Sequence, residues 1–325
     1  MEDKPKRLGI YNDRFGYLSL HLIDYNPIAI MTNKSQEKAM IFNFKANFKS
    51  LPKFANPIAP LKEALDFALI KIPKSLDLFR LFLEQICHNS SKGVTVICAF
   101  MTRHFSPKML EIAGLYFEDI EQSKAEKKSR LIKLSKKKKV AKQDLIKSLV
   151  FKDNSYKQYP GVFSGEHIDY ATQFFLEHLE IMENDQTILD LASGNGVIGI
   201  EIFGQLPEAE VHLLDDAFLA IASAKLNIEG PNVHHHYNNE LSIFKNDFFD
   251  LIVSNLPFHF EYEINIQIPL DLLRQAKRCL KKGGVLQIVS NKHLNYKSHL
   301  SHLFSNVEIL AEDKKYIIYR CIKGH

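Results

Sequence analysis

The chain has 325 residues, 46% hydrophobic and 25% charged, with a formal net charge of +4, which suits a two-domain globular protein and excludes a disordered or fibrous one. No apolar run approaches the roughly 20 residues that span a bilayer, and MEDKPKRLGI at the N-terminus has no apolar signal core, so a cytoplasmic protein without a membrane partner is expected. The four cysteines (Cys87, Cys98, Cys279, Cys321) form no C-x-x-C pair, which points to free thiols and away from disulfides or a cysteine zinc site.

In the first half, DFALIKIP (66–73) predicts a strand, SLDLFRLFLEQI (75–86) an amphipathic helix and KGVTVICAF (92–100) a β-rich run. KAEKKSRLIKLSKKKKVAK (124–142) then carries ten Lys/Arg against one Glu. That run reads as a linker and as a candidate phosphate-binding surface. DYATQFFLEHLEIM (169–182) predicts a helix ahead of a regular alternation. Strands are expected at 187–192, 210–215, 249–254 and 283–290, with helices at 197–206, 217–228 and 269–280. Such alternation argues for an α/β domain with a parallel, Rossmann-like sheet. The tail VEILAEDKKYIIYRCIK adds two strands, a hairpin at the sheet edge.

The halves echo each other. DFALIKIP aligns without gaps on DLIVSNLP (250–257), and each is followed by an amphipathic helix, a glycine turn and a β-rich run. This predicts tandem copies of one fold. Lys71 and Lys74 stand where the second copy has Asn255 and Phe258, and the first half shows no counterpart of the glycine loop below. The expected organisation is a degenerate domain over 1–123, a basic linker over 124–150 and an active domain over 151–325.

DLASGNGVIG (190–199) joins a strand to a helix and contains Gly194-x-Gly196-x-x-Gly199. Glycines there let the backbone turn sharply and approach a ligand. Asp215 ends the next strand, where a carboxylate can accept both ribose hydroxyls of an adenosine. NAD and S-adenosylmethionine both fit so far; the alternative is glycine used only for packing. Asp190, four residues before Gly194, faces a pyrophosphate badly but suits an aminoacyl ammonium, which favours S-adenosylmethionine. Asn239 can read the adenine edge, or be a plain turn residue. Ser193 and Asp216 complete the candidate cofactor set.

LIVSNLPFHF (251–260) runs from an apolar strand into Asn255-Leu256-Pro257-Phe258. Ligands bind beyond the carboxyl ends of such strands. The Asn255 side-chain oxygen and the Leu256 carbonyl can each accept an N–H of an exocyclic amine, aiming its lone pair at a methyl group. Pro257 stiffens the turn, and Phe258 offers a face on which a base can stack. No general base is needed, because the amine acidifies as it alkylates. A strand-terminating turn is the alternative.

These residues carry a family resemblance. DLASGNGVIG, LLDD ahead of a helix, NLPFH and SNKHLNY together resemble the bacterial ribosomal RNA guanine-N2 methyltransferases. LIKIPKSLDL, CAFMTRHFSP and KKSRLIKL resemble the 23S members more than the 16S ones. The resemblance covers nearly the whole chain. It implies two tandem class I methyltransferase domains, the first degenerate, with S-adenosyl-L-methionine as cofactor and methyl transfer to the N2 amine of a 23S guanosine. GVFSGEHIDYATQFFLEHL (161–179) resembles the segment over the cofactor, which implies that Phe163 and Asp169 help close the pocket. The family usually has N-P-P-F-H. Leu256 departs from it toward the N-L-P-[FY] of the adenine-N6 dimethylating enzymes, which leaves the base open; His259 fits the family pattern. The rivals are a 16S guanine-N2, an adenine-N6 or a protein glutamine methyltransferase, and a non-catalytic rRNA-binding assembly factor. The expected partner is rRNA, protein-poor or naked, bound by a monomer. No metal is expected: His234, His235 and His236 are adjacent on a strand and cannot all face one ion.

Overall fold

The computed structural model describes residues 7–256, 259–260, 263–264 and 267–324. The chain divides into two compact units, Met1–Leu145 and Ile146–His325. In the first, the strands are β1 (Leu8–Tyr11), β2 (Ile28–Ile30), β3 (Lys53–Ala55), β4 (Leu65–Lys71), β5 (Ser90–Met101), β6 (Phe117–Gln122) and β7 (Ser129–Lys137). They form one sheet in the order β3-β2-β1-β4-β5-β7-β6, parallel except around β7, which runs antiparallel to β5 and β6. Its helices are α1 (Tyr17–His21), α2 (Lys34–Ala46), α3 (Leu76–His88) and α4 (Lys108–Tyr116). The Ser75 side chain accepts from the Leu78 amide and caps α3, so the predicted helix starts where its sequence signal lies.

The second unit opens with a hairpin, β8 (Lys147–Phe151) and β9 (Asn154–Gln158). Then come α5 (Tyr170–His178), β10 (Thr187–Leu191), α6 (Val197–Gln205), β11 (Glu210–Asp215), α7 (Phe218–Asn227), β12 (Val233–Tyr237) and β13 (Phe249–Asn255). A two-residue pair, β14 (His259–Phe260) and β15 (Glu263–Ile264), precedes α8 (Gln267–Cys279), β16 (Leu280–Asn291), α9 (Tyr296–Leu303), β17 (Asn306–Glu312) and β18 (Tyr316–Ile322). The sheet order is β12-β11-β10-β13-β16-β18-β17. The tail forms the expected edge hairpin, β17–β18. Helices cover both faces, so β10 and β13 are buried on both sides and read as continuous apolar runs.

Strand for strand, the two sheets have the same order and directions. A bulge between Leu65 and Phe67 on β4 recurs between Phe249 and Leu251 on β13. The expectation of tandem copies is met, and the pairing registers give residue equivalences. Ile10 pairs with Ala29 and Leu69, as Asp190 pairs with Leu213 and Val253. By the same registers Met31 stands at Asp215 and Lys71 at Asn255.

Two expectations need correction. The first unit does have a topological counterpart of the glycine loop, residues 12–16. Asn12 and Ala192, each directly after its strand, have φ of 58° and 60°, and Gly16 and Gly196, each ahead of its helix, have φ of 75° and 84°. Arg14 then stands at Gly194 and Ile10 at Asp190, so the groups proposed to hold a cofactor are gone while the left-handed residues at the two ends of the turn persist. In the copies, Ser19 and Gly199 amides both donate to a carboxylate, but from Asp13 in one and Asp190 in the other. The second correction concerns the basic run. Residues 129–137 are not linker but β7, with Ile132 and Leu134 in the core and the unit boundary falling after Leu145. Lys137 donates to the Cys87 and Ser90 carbonyls at 2.9 and 2.7 Å, Lys136 pairs with Asp119 at 3.0 Å, and Lys133 with Glu121 at 3.3 Å.

Candidate active site

In the second sheet, β10 is flanked by β11 on one side and β13 on the other. Chain connections leave β10 in opposite directions there, which opens a crevice at the carboxyl ends of the strands. The loop 192–196 lies at that point, and the ends of β11 and β13 deliver Asp215 and Asn255 to it.

The glycines divide their work. A Cβ on Gly196 would meet Leu213 Cδ2 at 2.9 Å and Ala224 Cβ at 3.1 Å, and one on Gly199 would meet Leu213 Cδ2 at 3.1 Å. Both are explained by the packing of α6 and α7 on β11, so the packing alternative holds for them. Gly194 is different: a Cβ there meets nothing within 4 Å, and its φ is +56°. Its amide donates to Asp215 Oδ2 at 2.9 Å. The loop therefore leaves open space over Gly194 and ties itself to the carboxylate expected to hold a ribose.

Asp190 is fully buried. Its Oδ2 accepts from the Gly199 amide at 2.9 Å, while Oδ1 is buried without a hydrogen-bond partner. Burial pushes its carboxyl up to about 7, opposed by the Gly199 amide and reinforced by Asp215. Asp215 is raised to about 6, also chiefly by burial, against the Ala217 and Gly194 amides that donate to it. Ser193 Oγ and Asn239 Oδ1 are likewise buried and unpartnered. A buried polar atom without a partner costs about 1–3 kcal/mol, and these three, one at the end of β10, one in the loop after it and one just beyond β12, mark the carboxyl edge of the sheet as a place for a polar ligand. An ammonium, hydroxyls and an amino edge are what S-adenosylmethionine offers, and these residues fit it. Asp216 follows Asp215 at the end of β11, half-buried. Phe163 is 72% exposed, and its backbone carbonyl accepts from Gln158 Nε2 at 3.2 Å, so its ring is mostly open to solvent among the described residues.

At the end of β13, Asn255 Nδ2 donates to Thr172 Oγ1 at 2.9 Å and to Asp169 Oδ2 at 3.1 Å. Asp169 is the N-cap of α5, accepting from the Ala171 and Thr172 amides. The Asp169 Oδ2 that accepts from these two backbone amides also accepts from the Asn255 amide nitrogen, which fixes the end of that amide that faces it. The nitrogen points to α5, and among the described residues Oδ1 remains as an acceptor. Asp169, expected to help close the cofactor pocket, thus orients Asn255; Thr172 is a partner that the sequence reading missed. Leu256 is 1% exposed and packs in the core, which leaves its backbone as the part available for chemistry. Pro257, Phe258 and the His259 side chain lie outside the described residues.

The histidine tract is arranged differently from the expectation. His234 and His236 share a face of β12, and His212 on β11 joins them from the neighbouring strand. Among the described residues, Glu210, His212 and His234 bring potential ligand atoms within 4.8 Å of one another. The expectation counted only adjacent imidazoles and so overlooked this cross-strand grouping.

Comparison with known proteins follows the same outline. Residues 1–139 match the RLMG N-terminal domain and residues 153–320 the Methyltransferase small domain. Ribosomal RNA large subunit methyltransferase G of Photobacterium profundum is 31% identical, covering 99% of this chain and 89% of that protein. The protein of the same name from Klebsiella pneumoniae is 31% identical over 97% of this chain and 86% of its own length. The Pseudoalteromonas translucida protein is 29% identical over 98% and 87%. Among solved structures, the T. Thermophilus 16S rRNA N2 methyltransferase RsmC, in complex with AdoMet and guanosine, superposes with a TM-score of 0.82. It covers 99% of this chain and 89% of its own at 21% identity, a likeness of fold. The chain belongs to the family of ribosomal RNA large subunit methyltransferase G.

Proposed function

We propose that the second unit transfers a methyl group from S-adenosylmethionine to the N2 amine of one guanosine in 23S rRNA. The observation that carries this reading is the Asn255 amide, held by Asp169 and Thr172 so that its oxygen is left as an acceptor at the crevice. Bound S-adenosylmethionine supplies an activated methyl on a sulfonium. Asp190 takes its ammonium, directly or through water, Asp215 its ribose hydroxyls and Asn239 its adenine edge, with Gly194 leaving room. Asn255 Oδ1 and the Leu256 carbonyl accept the two N–H groups of the target amine and localise its lone pair. Phe258 stacks on the base. Rate enhancement comes from position and fixed dipoles.

The large-subunit target is supported by the names of the full-length relatives, and the guanine amine by the resemblance of the NLPFH motif. The base must leave its stack, which costs a few kcal/mol unless it is unpaired, so protein-poor RNA is the substrate. Exposed Lys124, Lys127, Lys128, Arg130, Lys139 and Lys142 supply phosphate contacts. Among the described residues no helix is long and apolar enough to cross a membrane. The protein works as a cytoplasmic monomer in this reading.

The test is methyl transfer in vitro from isotope-labelled S-adenosylmethionine to protein-free 23S and 16S rRNA, followed by nucleoside separation. Label in N2-methylguanosine from 23S rRNA is expected. Label in N6-methyladenosine, or in 16S rRNA alone, would overturn the assignment.

A further inference from the structure

We infer that β11 and β12 carry a transition-metal site of the zinc class, with Glu210, His212 and His234 as ligands. In parallel register His212 lies beside His234, and alternation puts Glu210, His212, His234 and His236 on one face of the sheet. The His212 ring centroid is 4.6 Å from that of His234 and 5.2 Å from that of His236. His212 Nδ1 is 2.9 Å from His236 Nε2. With the proton on His212 Nδ1 and donated to His236, the lone pair of His212 is on Nε2. That atom is buried, has no hydrogen-bond partner, and lies 3.9 Å from Glu210 Oε2.

These are the parts of a ligand shell. Two imidazoles and a carboxylate are a recurring zinc set that leaves a fourth position for water. A ligating histidine characteristically donates its other N–H to an outer acceptor, and His236 fills that place. Tetrahedral zinc with bonds of about 2.0–2.2 Å separates its ligand atoms by about 3.3–3.6 Å. The three groups already lie within 4.8 Å, and the Glu210 side chain, 54% exposed, can close the remainder. Phe244, Phe248 and Phe249 set their rings edge-on to His212 at 5.4–5.5 Å, an apolar wall on one side of the site. The ion would staple the edge strand β12 to β11, three residues before Asp215. Its presence does not depend on the methyl acceptor proposed above.

The test uses the full chain, stripped with a chelator and then titrated with Zn(II) or with Co(II) as a spectroscopic stand-in. One equivalent of Zn(II) bound with sub-micromolar Kd, and the intense visible bands of tetrahedral Co(II), are expected. His234→Ala and Glu210→Gln, both at half-buried or exposed positions, should each weaken binding at least tenfold while the far-ultraviolet circular dichroism stays unchanged. No stoichiometric binding, or binding that survives both substitutions and so belongs to other histidines, would overturn the site.

Discussion

Cofactor affinity should depend on pH through Asp190. Its carboxyl is fully buried, with one oxygen held by the Gly199 amide and the other unpartnered. Burial raises it from 3.8 to about 7, a difference of about 3 units, or about 4 kcal/mol at about 1.4 kcal/mol per unit. The sign follows from linkage. Because the folded-state value is raised, the folded protein without cofactor holds this proton where the unfolded chain has lost it. Asp190's contribution to stability is therefore complete below pH 3.8 and is lost as pH rises toward about 7. A cofactor ammonium supplies the missing partner and favours the ionised form, so binding below pH 7 must expel a proton. About a tenth of Asp190 is ionised at pH 6 and about three quarters at pH 7.5, while the protonated share of the cofactor's amino group falls from nearly all to about two thirds, so affinity should rise about sixfold between them. The cofactor's own amino group, with a pKa of about 7.8, limits affinity on the alkaline side. Titration calorimetry with S-adenosylmethionine, in buffers of different ionisation enthalpy, reads both affinity and protons released. Release approaching one proton at pH 6 and falling toward pH 7.5 is expected. Asp190→Asn should weaken binding and move the acid limb down toward about 6, where Asp215 titrates. A flat wild-type profile, or an unmoved acid limb in the variant, would refute the reasoning.

Asn255→Ala should leave S-adenosylmethionine affinity within about twofold while turnover falls by about 100-fold or more, the scale for removing a pre-aimed polar group; equal loss of both in calorimetry and single-turnover kinetics would contradict this. Thr172→Val removes one acceptor that orients Asn255, and should lower kcat about tenfold without moving cofactor affinity. Asp169→Ala should add a stability loss of about 1 kcal/mol from the uncapped α5, readable by denaturant unfolding. Gly196→Ala should cost about 1–3 kcal/mol of stability, since its Cβ would press on Leu213 and its φ is left-handed. Gly194→Ala should cost only about 1 kcal/mol of backbone strain but weaken cofactor binding more than tenfold, and the reverse ranking would undo the division of labour between them. RNA affinity should fall steeply with salt, and charge reversal at Lys127, Lys128 and Arg130 should flatten the slope by about 3 in filter binding from 50 to 200 mM.

The second unit was legible in the sequence because its signals are local. A strand buried on both faces is a continuous apolar run, and the turn after β10 uses glycine at two of its three left-handed positions, Gly194 and Gly196, with Ala192 at the third. The first unit was harder. Its loop keeps left-handed residues at both ends, Asn12 and Gly16, but Arg14 and Ser19 replace two of the three glycines that make the fingerprint visible. β7 hid for another reason: Ile132 and Leu134 alternate with basic residues, so composition announced a linker while the period of two announced a strand. Partners contributed by other elements left no local trace. Thr172 meets Asn255 across 83 residues, and His212 meets His236 across 24. Only the sheet order and helix packing bring those pairs together.

The most direct measurement is fragment-mapped mass spectrometry of both ribosomal RNAs from cells lacking this protein, complemented with the wild type or with Asn255→Ala. One N2-methylguanosine in 23S rRNA should vanish in the deletion, return with the wild type and stay absent with the variant. An unchanged 23S modification pattern, or full restoration by Asn255→Ala, would contradict the account.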